Sequence, residues 1–225
     1  MNYIVAAVGD WNRKMFDELT RNLAGNWHYV STPAELNKKI QGGFSPRYIF
    51  FPHWRWIVPI NIVTNYECIC FHMTDVPYGR GGSPLQNLIV RGHKYTVVTA
   101  LRMEEGLDTG PVYLKEPLSV AGRAEDIYQR ASELSWQMMA NIIVNQIEPV
   151  SQEGKAVVFS RRTPKQSEIP QNLTLDQVYD YIRMLDAPDY PKAFLREGSY
   201  QLEFDNAKRI DDEIIATVKI KLKDI

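Results

Sequence analysis

The stretch YIVAAVG, residues 3–9, is an apolar run that ends in a glycine. A run of this kind reads as a strand buried on both faces, as the strands of a parallel sheet are. The next segment, NRKMFDELTRNLAG at 12–25, has helical spacing closed by Gly25, so the chain opens strand, then helix. WHYV (27–30) is a short strand, and STPAELNKKI (31–40) is a helix announced by Ser31, Thr32 and Pro33. YIFF (48–51) and ECICFH (67–72) read as two more strands, joined by the aromatic segment PHWRWIVP (52–59). Pro84 opens a helix, PLQNLIVRG, that stops at Gly92, and YTVVTALRM (95–103) is the next strand. In the long helix at 123–147, Ile127, Ala131, Leu134 and Met138 recur at helical spacing and form a core stripe. Strands alternating with helices predict an α/β fold, a mostly parallel sheet with helices on both faces.

Beyond about residue 150 the pattern changes. AVVFSRRTPKQSEIP (156–170) is a strand leading into a polar loop, TLDQVYDYIRMLD (174–186) a helix, and SYQLEFD (199–205) and EIIATVKIKL (213–222) are alternating strands. The expected organisation is a domain at 1–150 and a small α+β subdomain at 151–225, with the boundary between Glu148 and Gly154. No internal repeat or low-complexity tract interrupts it.

The totals bound the function. A chain of 225 residues with 44% hydrophobic content can bury a sizeable core. Its net charge is -1, from 26 basic against 27 acidic residues, and no Lys/Arg block is longer than two. Binding driven by phosphate neutralisation is therefore not expected. No stretch approaches the roughly 18 uninterrupted apolar residues of a membrane span. The chain reads as soluble and cytoplasmic. Cys68 and Cys70 are one residue apart, too close for an ordinary disulfide framework, and read as reduced thiols.

Ligands of open α/β sheets sit beyond the carboxyl ends of the strands, so the loops 52–59, 72–84 and 103–110 are expected to meet there. In an extended strand Cys68, Cys70 and His72 point to one face. Three soft ligands could hold zinc, but a structural zinc site wants four and the chain has no other cysteine, so packed thiols are the expectation and no metal is assigned. In CFHMTDVPYGRGGSP (70–84) the cluster GRGG lets backbone pass close to a ligand or adopt a positive φ. It is not a phosphate-binding P-loop, because Ser83-Pro84 stand where Lys-Ser/Thr is required. In MEEGLDTGPV (103–112) Asp108 sits between Gly106 and Gly110. It either caps a turn or reaches His72, fixing its tautomer, and a His backed by a carboxylate is a general acid/base pair.

HMTDVPYGRGGSP resembles the H-P-S-L-L-P-x-Y-R-G-x-x-P segment of the formyltransferases that use N10-formyltetrahydrofolate, with His72, Pro77, Arg80, Gly81 and Pro84 in register. MEEGLDTG resembles that family's M-D-E-G-L-D-T-G and puts Asp108 on its catalytic aspartate, while WRWIVP (54–59) resembles the loop whose main chain grips the pterin. The resemblance spans roughly residues 1–120 and implies a Rossmann-like formyltransferase domain with His72 and Asp108 catalytic and N10-formyltetrahydrofolate as formyl donor. It further implies donor contacts from Trp54, Arg55, Trp56 and Ile57 and from Glu104, Glu105, Gly106 and Leu107, and acceptor contacts from Thr74, Arg80, Gly81, Gly82, Ser83 and Arg161. The family carries an Asn two residues before the His; here that position is Cys70, and a thiol is a weak donor where an amide is a strong one.

For the acceptor, SRRTPKQSEI (160–169) followed by LDAPDYPKAF (185–194) resembles the sugar formyltransferases that modify amino-deoxysugars, often nucleotide-linked, for surface polysaccharides, and also the formylation domains of nonribosomal peptide synthetases. Arg161, Arg162 and Lys165 are either a solvated loop or a grip on a diphosphate. Methionyl-tRNA formyltransferases carry a longer C-terminal domain, so transfer RNA is read as a poor fit. The expectation is formyl transfer to a sugar amine by a protein with a small-molecule amino-sugar or nucleotide-sugar partner, no nucleic acid, no membrane, and a homodimer left open. A formyltetrahydrofolate hydrolase and a silent folate- or nucleotide-binding module are the alternatives.

Overall fold

The computed structural model describes residues 1–222; the last three residues of the expected 151–225 subdomain lie outside the described residues. In chain order the elements are β1 (Asn2–Ala7), α1 (Asp10–Leu19), β2 (Asn26–Val30), α2 (Pro33–Gln41), β3 (Tyr48–His53), α3 (Ile60–Asn65), β4 (Cys68–His72), β5 (Tyr78–Gly81) and α4 (Pro84–Val90). They continue with β6 (Tyr95–Arg102), β7 (Val112–Ser119), α5 (Ala124–Asn145), β8 (Val157–Phe159), α6 (Leu175–Arg183), β9 (Ala193–Glu197), β10 (Tyr200–Ile210) and β11 (Glu213–Leu222). The segments α3, β5, β7 and β9 are additions to the sequence reading.

The chain forms two compact units that do not follow a single cut: 1–81, 96–118 and 129–158 make the first, while 82–95, 119–128 and the chain from 159 onward make the second. The first unit holds a six-stranded sheet in the order β2-β1-β3-β4-β6-β7. β1 runs parallel to β2 and β3, and β3 parallel to β4, whereas β4 and β6 are antiparallel. The mostly parallel α/β sheet is thus present, with one reversal beside β4.

Alternation along the strands builds a layer on each face. Ile4, Ala6, Ile49, Phe51 and Cys68 point to one side and pack with Leu36 of α2 and Ile62 of α3. Tyr3 and Phe50 point to the other, where Trp27, Phe16 and Trp136 of α5 continue an aromatic layer; Tyr3 and Trp27 are 4.4 Å apart by ring centroid and Phe16 and Trp136 6.1 Å. Fully buried side chains such as Tyr3, Phe50 and Trp136 each contribute on the order of 2 kcal/mol of burial free energy. α2 begins as its sequence requires: the Thr32 hydroxyl accepts from the Glu35 N–H at 3.2 Å, and the Glu35 carboxylate accepts from the Ser31 N–H at 2.7 Å.

The second unit contains the antiparallel sheet β11-β10-β9 and the helices α4 and α6. Its interior polar groups are paired. Arg183, 4% exposed, donates to the carbonyls of Val120 and Gly122 and pairs with Asp180, while buried Asp186 accepts from Lys192 and from the Asn206 N–H. No helix among the described residues is long and apolar enough to cross a membrane.

Candidate active site

β4 places Cys68, Cys70 and His72 on the face lined by α2 and α3, since Cys68 and Cys70 pack there and His72 follows at the next alternate position. His72 is 8% exposed. Its Nε2 lies 2.7 Å from the Gly79 carbonyl oxygen, and a carbonyl can only accept, which assigns a proton to Nε2. The tautomer is therefore set by the Gly79 main chain, not by Asp108 as the sequence suggested. The second ring nitrogen, Nδ1, faces Asp108 Oδ2 at 3.6 Å, within ion-pair range but beyond hydrogen-bond length.

Asp108 arrives from an unexpected direction. Ile69 of β4 pairs with Arg102 of β6, and His72 with Thr99, so β6 ends beside the start of β4. The 103–110 loop thus leaves the sheet at the end opposite His72, which corrects the picture of three loops gathered at one carboxyl edge. The loop folds back over the face instead. Its base is closed by the Arg102 N–H on the Pro111 carbonyl at 2.9 Å, and Met103 packs on the same core layer as Trp54 and Cys70. Asp108 itself has φ 54, a left-handed conformation that Asp tolerates better than most residues. At Gly110 a Cβ would stand 1.9 Å from the Arg102 carbonyl oxygen, so only glycine fits.

The Asp108 carboxylate accepts from the Gly81 N–H at 2.8 Å. Gln152, which no sequence signal singled out, holds the same loop from behind: its Nε2 donates to the carbonyls of Asp108 (2.9 Å) and Gly110 (2.7 Å), and its Oε1 accepts from Arg80 Nε (3.1 Å) and Nη2 (2.8 Å). Thr74, expected at the acceptor, is fully buried and donates its hydroxyl to the Gly79 carbonyl at 3.1 Å; it braces the turn that fixes His72.

Cys70 is half-buried in this wall. Burial, and secondarily the negative Asp108, push its thiol well above the usual range, so it stands as a neutral S–H. Cys68 is fully buried and pushed up to about 12 by burial and by Glu67. Among the described residues no group of three or more His, Cys, Asp or Glu is arranged to hold a metal ion.

Because β3 and β4 are parallel with Phe51 beside Cys70, the loop after β3 leaves the sheet at the His72 end. There Trp54 packs edge-on to Phe51 and against Trp56, with ring centroids 5.8 and 4.8 Å away, and the Arg55 guanidinium lies 5.8 Å from the Trp56 ring. Trp56 and Ile57 are exposed. Across the returning loop, Glu104 and Glu105 are exposed, Glu104 pairs with Arg102 at 2.9 Å, Thr109 donates to the Glu105 carbonyl, Gly106 has φ 102, and Leu107 is exposed. Gly82, Ser83 and Arg161 belong to the second unit. There the Gly82 N–H donates to the Phe159 carbonyl, the Ser83 hydroxyl accepts from the Arg162 N–H, and a Cβ at Gly82 would meet Arg161 Cβ at 2.5 Å. Arg161 is exposed.

A protein-family model described as "Formyl transferase" matches residues 26–143, more than half of the chain. The chain belongs to the formyltransferase family. A second model, described as "Methionyl-tRNA formyltransferase, C-terminal domain", matches residues 164–221 of this formyltransferase. The structure of a methionyl-tRNA formyltransferase from Clostridium thermocellum superposes with a TM-score of 0.94 at 43% identity, over 99% of this chain and 100% of that one. Among curated sequences, methionyl-tRNA formyltransferase of Rickettsia canadensis is 32% identical over 117 residues, which are 49% of this chain and 39% of the relative. This formyltransferase thus spans about two fifths of that curated relative's length.

These likenesses correct the expectation that the chain is most similar to the short sugar N-formyltransferases. A 4-N formyltransferase from Francisella tularensis superposes over 100% of this chain and 98% of that one, but with a TM-score of 0.68 and 17% identity, a likeness of fold alone. The match at 164–221 to the C-terminal domain of the methionyl-tRNA enzymes also counts against reading the short C-terminal part as a sign that transfer RNA is a poor fit.

Proposed function

We propose that this formyltransferase moves a formyl group from N10-formyltetrahydrofolate to an amine, with His72 and Asp108 as the catalytic pair, and that the amine is carried by an aminoacyl-tRNA. The observation that carries the chemistry is the buried His72 ring, locked by Gly79 at one nitrogen and facing the anchored Asp108 carboxylate at the other. The acceptor reading is supported by 43% identity along the full chain to a methionyl-tRNA formyltransferase. A second reading, a small amino-sugar, is favoured by the net charge of -1, which offers little general attraction to a polyphosphate backbone.

The residues near His72 fit the folate. The Trp54–Ile57 segment presents irregular main chain and exposed apolar surface at the His72 end of the sheet, suited to a flat heterocycle with a hydrogen-bonding edge, and Glu104–Leu107 are proposed to complete the contact. When bound, the folate supplies the formyl carbon and a nitrogen leaving group. His72 Nδ1 is the ring atom left to act, because Nε2 is committed to Gly79. Faced by Asp108, it accepts the proton the attacking amine loses; the imidazolium so formed stands beside the charge developing on the formyl oxygen and then delivers that proton to the departing nitrogen. A new C–N bond forms as the old one breaks, with no net change in protons. The Cys70 thiol is a weak donor beside this path. Arg80 and Gly81 are proposed to meet the acceptor.

The test is to incubate the purified chain with formyltetrahydrofolate and, in turn, methionyl-tRNA, a panel of nucleotide-linked amino-sugars, or no acceptor, following the products by mass. Formylated methionyl-tRNA supports the first reading and a formylated sugar alone replaces it with the second. Acceptor-independent formate release makes the chain a hydrolase, and unchanged folate leaves a binding module.

A further inference from the structure

We infer that Gln152 is a positioning residue that clamps the Asp108 loop and the Arg80 side chain into one rigid assembly. Its backbone is pinned on both sides: Val150 exchanges two main-chain hydrogen bonds with Val112 at 2.7 and 2.8 Å, and the Val157 N–H donates to the Pro77 carbonyl at 3.0 Å. The side-chain amide between these anchors makes four hydrogen bonds, two as donor to Asp108 and Gly110 and two as acceptor from Arg80. Its orientation is unique. Carbonyls only accept and a guanidinium only donates, so a flipped amide would set donor against donor and acceptor against acceptor.

Asp108 is consequently fixed at both ends, its carboxylate by the Gly81 N–H and its carbonyl by Gln152, while the residue before Gly81 is the Arg80 that Gln152 also holds. Five hydrogen bonds tie β5 to the 106–110 turn, one of them direct and four through Gln152. Asp108 lies in the left-handed region, which residues other than glycine adopt at a cost, and without the amide the turn has less to hold that conformation against relaxation. A catalytic group displaced by about 1 Å can lose 10²-fold in rate. Gln152 touches no reacting atom; it acts through Asp108 and Arg80.

The kinetic arm of the test rests on the formyl-transfer reading; the spectroscopic arm does not. Gln152→Met removes all four hydrogen bonds at similar length. Gln152→Glu keeps an acceptor for Arg80 but turns an oxygen toward the carbonyls of Asp108 and Gly110. In the full chain, both are expected to lower kcat roughly 10- to 100-fold with KM for formyltetrahydrofolate changed less than about threefold and an unchanged far-ultraviolet circular dichroism spectrum. Gln152→Met with kcat within twofold of the parent overturns the inference, as does a loss confined to KM. A loss in Gln152→Met but not in Gln152→Glu also overturns it, reducing the role to holding Arg80. If the parent itself transfers no formyl group, the functional reading falls, and the Gly81 amide and His72 ring resonances in Gln152→Met decide the positioning claim. Shifted resonances support it and unshifted ones overturn it.

Discussion

The Gly81 N–H stands 2.8 Å from Asp108 Oδ2, whereas His72 Nδ1 stands 3.6 Å from the same oxygen. The carboxylate is anchored by main chain and only faced by the ring, a spacing that catalytic pairs often show before substrate tightens them. Asp108→Asn keeps an oxygen for Gly81 but loses the charge toward His72. Asp108→Asn and His72→Ala are each expected to fold as the parent does and to lose turnover by about 10²-fold or more. Formyl transfer at saturating donor, with circular dichroism as the folding control, checks both; near-parental turnover in either removes that residue from the pair.

Gly110→Ala sets a methyl 1.9 Å from the Arg102 carbonyl oxygen, where the obstacle is backbone. Forced overpacking of this kind costs about 1–3 kcal/mol, and the turn carrying Asp108 must move. A lower thermal midpoint together with a reduced kcat is expected; a variant matching the parent in both measurements would show that the turn is not held as described.

With its thiol pushed well above the ordinary range by burial and by Asp108, Cys70 is not poised as a nucleophile. Iodoacetamide at neutral pH is expected to label Cys70 far more slowly than a free cysteine, read by peptide mass. Cys70→Ser and Cys70→Ala are expected to keep substantial activity. A folded but inactive Cys70→Ala would return the sulfur to the mechanism.

Burial, with a lesser contribution from Arg55, lowers His53 from 6.5 to about 4. A group depressed on folding gives stability that is present above its unfolded value and lost as pH falls toward its folded one. The fold is therefore expected to weaken between pH 6.5 and 4, by up to a few kcal/mol from this group. Urea titrations across that window should show a shallower pH slope for His53→Gln than for the parent. Equal slopes would assign the acid sensitivity elsewhere.

The sequence exposed those parts of the fold that bury both faces. β1, β3 and β4 are continuous apolar runs because helices cover each side. β7 stayed hidden because Lys115, Glu116 and Pro117 interrupt its pattern, and α3 because six residues are too few for a period to appear. The direction of β6 leaves no trace in composition, since a strand pairs either way with the same side chains. At the site, His72 and Asp108 stood out by residue type and flanking glycines. Their partners did not: Gly79 and Gly81 act through main-chain atoms, and Gln152 is one polar residue in a turn-rich stretch. The resemblance to the sugar enzymes rests on short loop motifs at 160–194, whereas the likeness to a methionyl-tRNA formyltransferase runs along the whole chain.

The loop that bears Asp108 is cinched at its neck, where the Arg102 N–H meets the Pro111 carbonyl, so β6 and β7 stay together whatever the loop's contour. An inserted or deleted residue between 103 and 107 would leave the sheet intact and swing the carboxylate away from His72. On the role proposed for Asp108, fold and catalysis can drift apart in descendants of this chain, and a lineage could shed its chemistry through loop length alone while still passing every test of a well-folded protein.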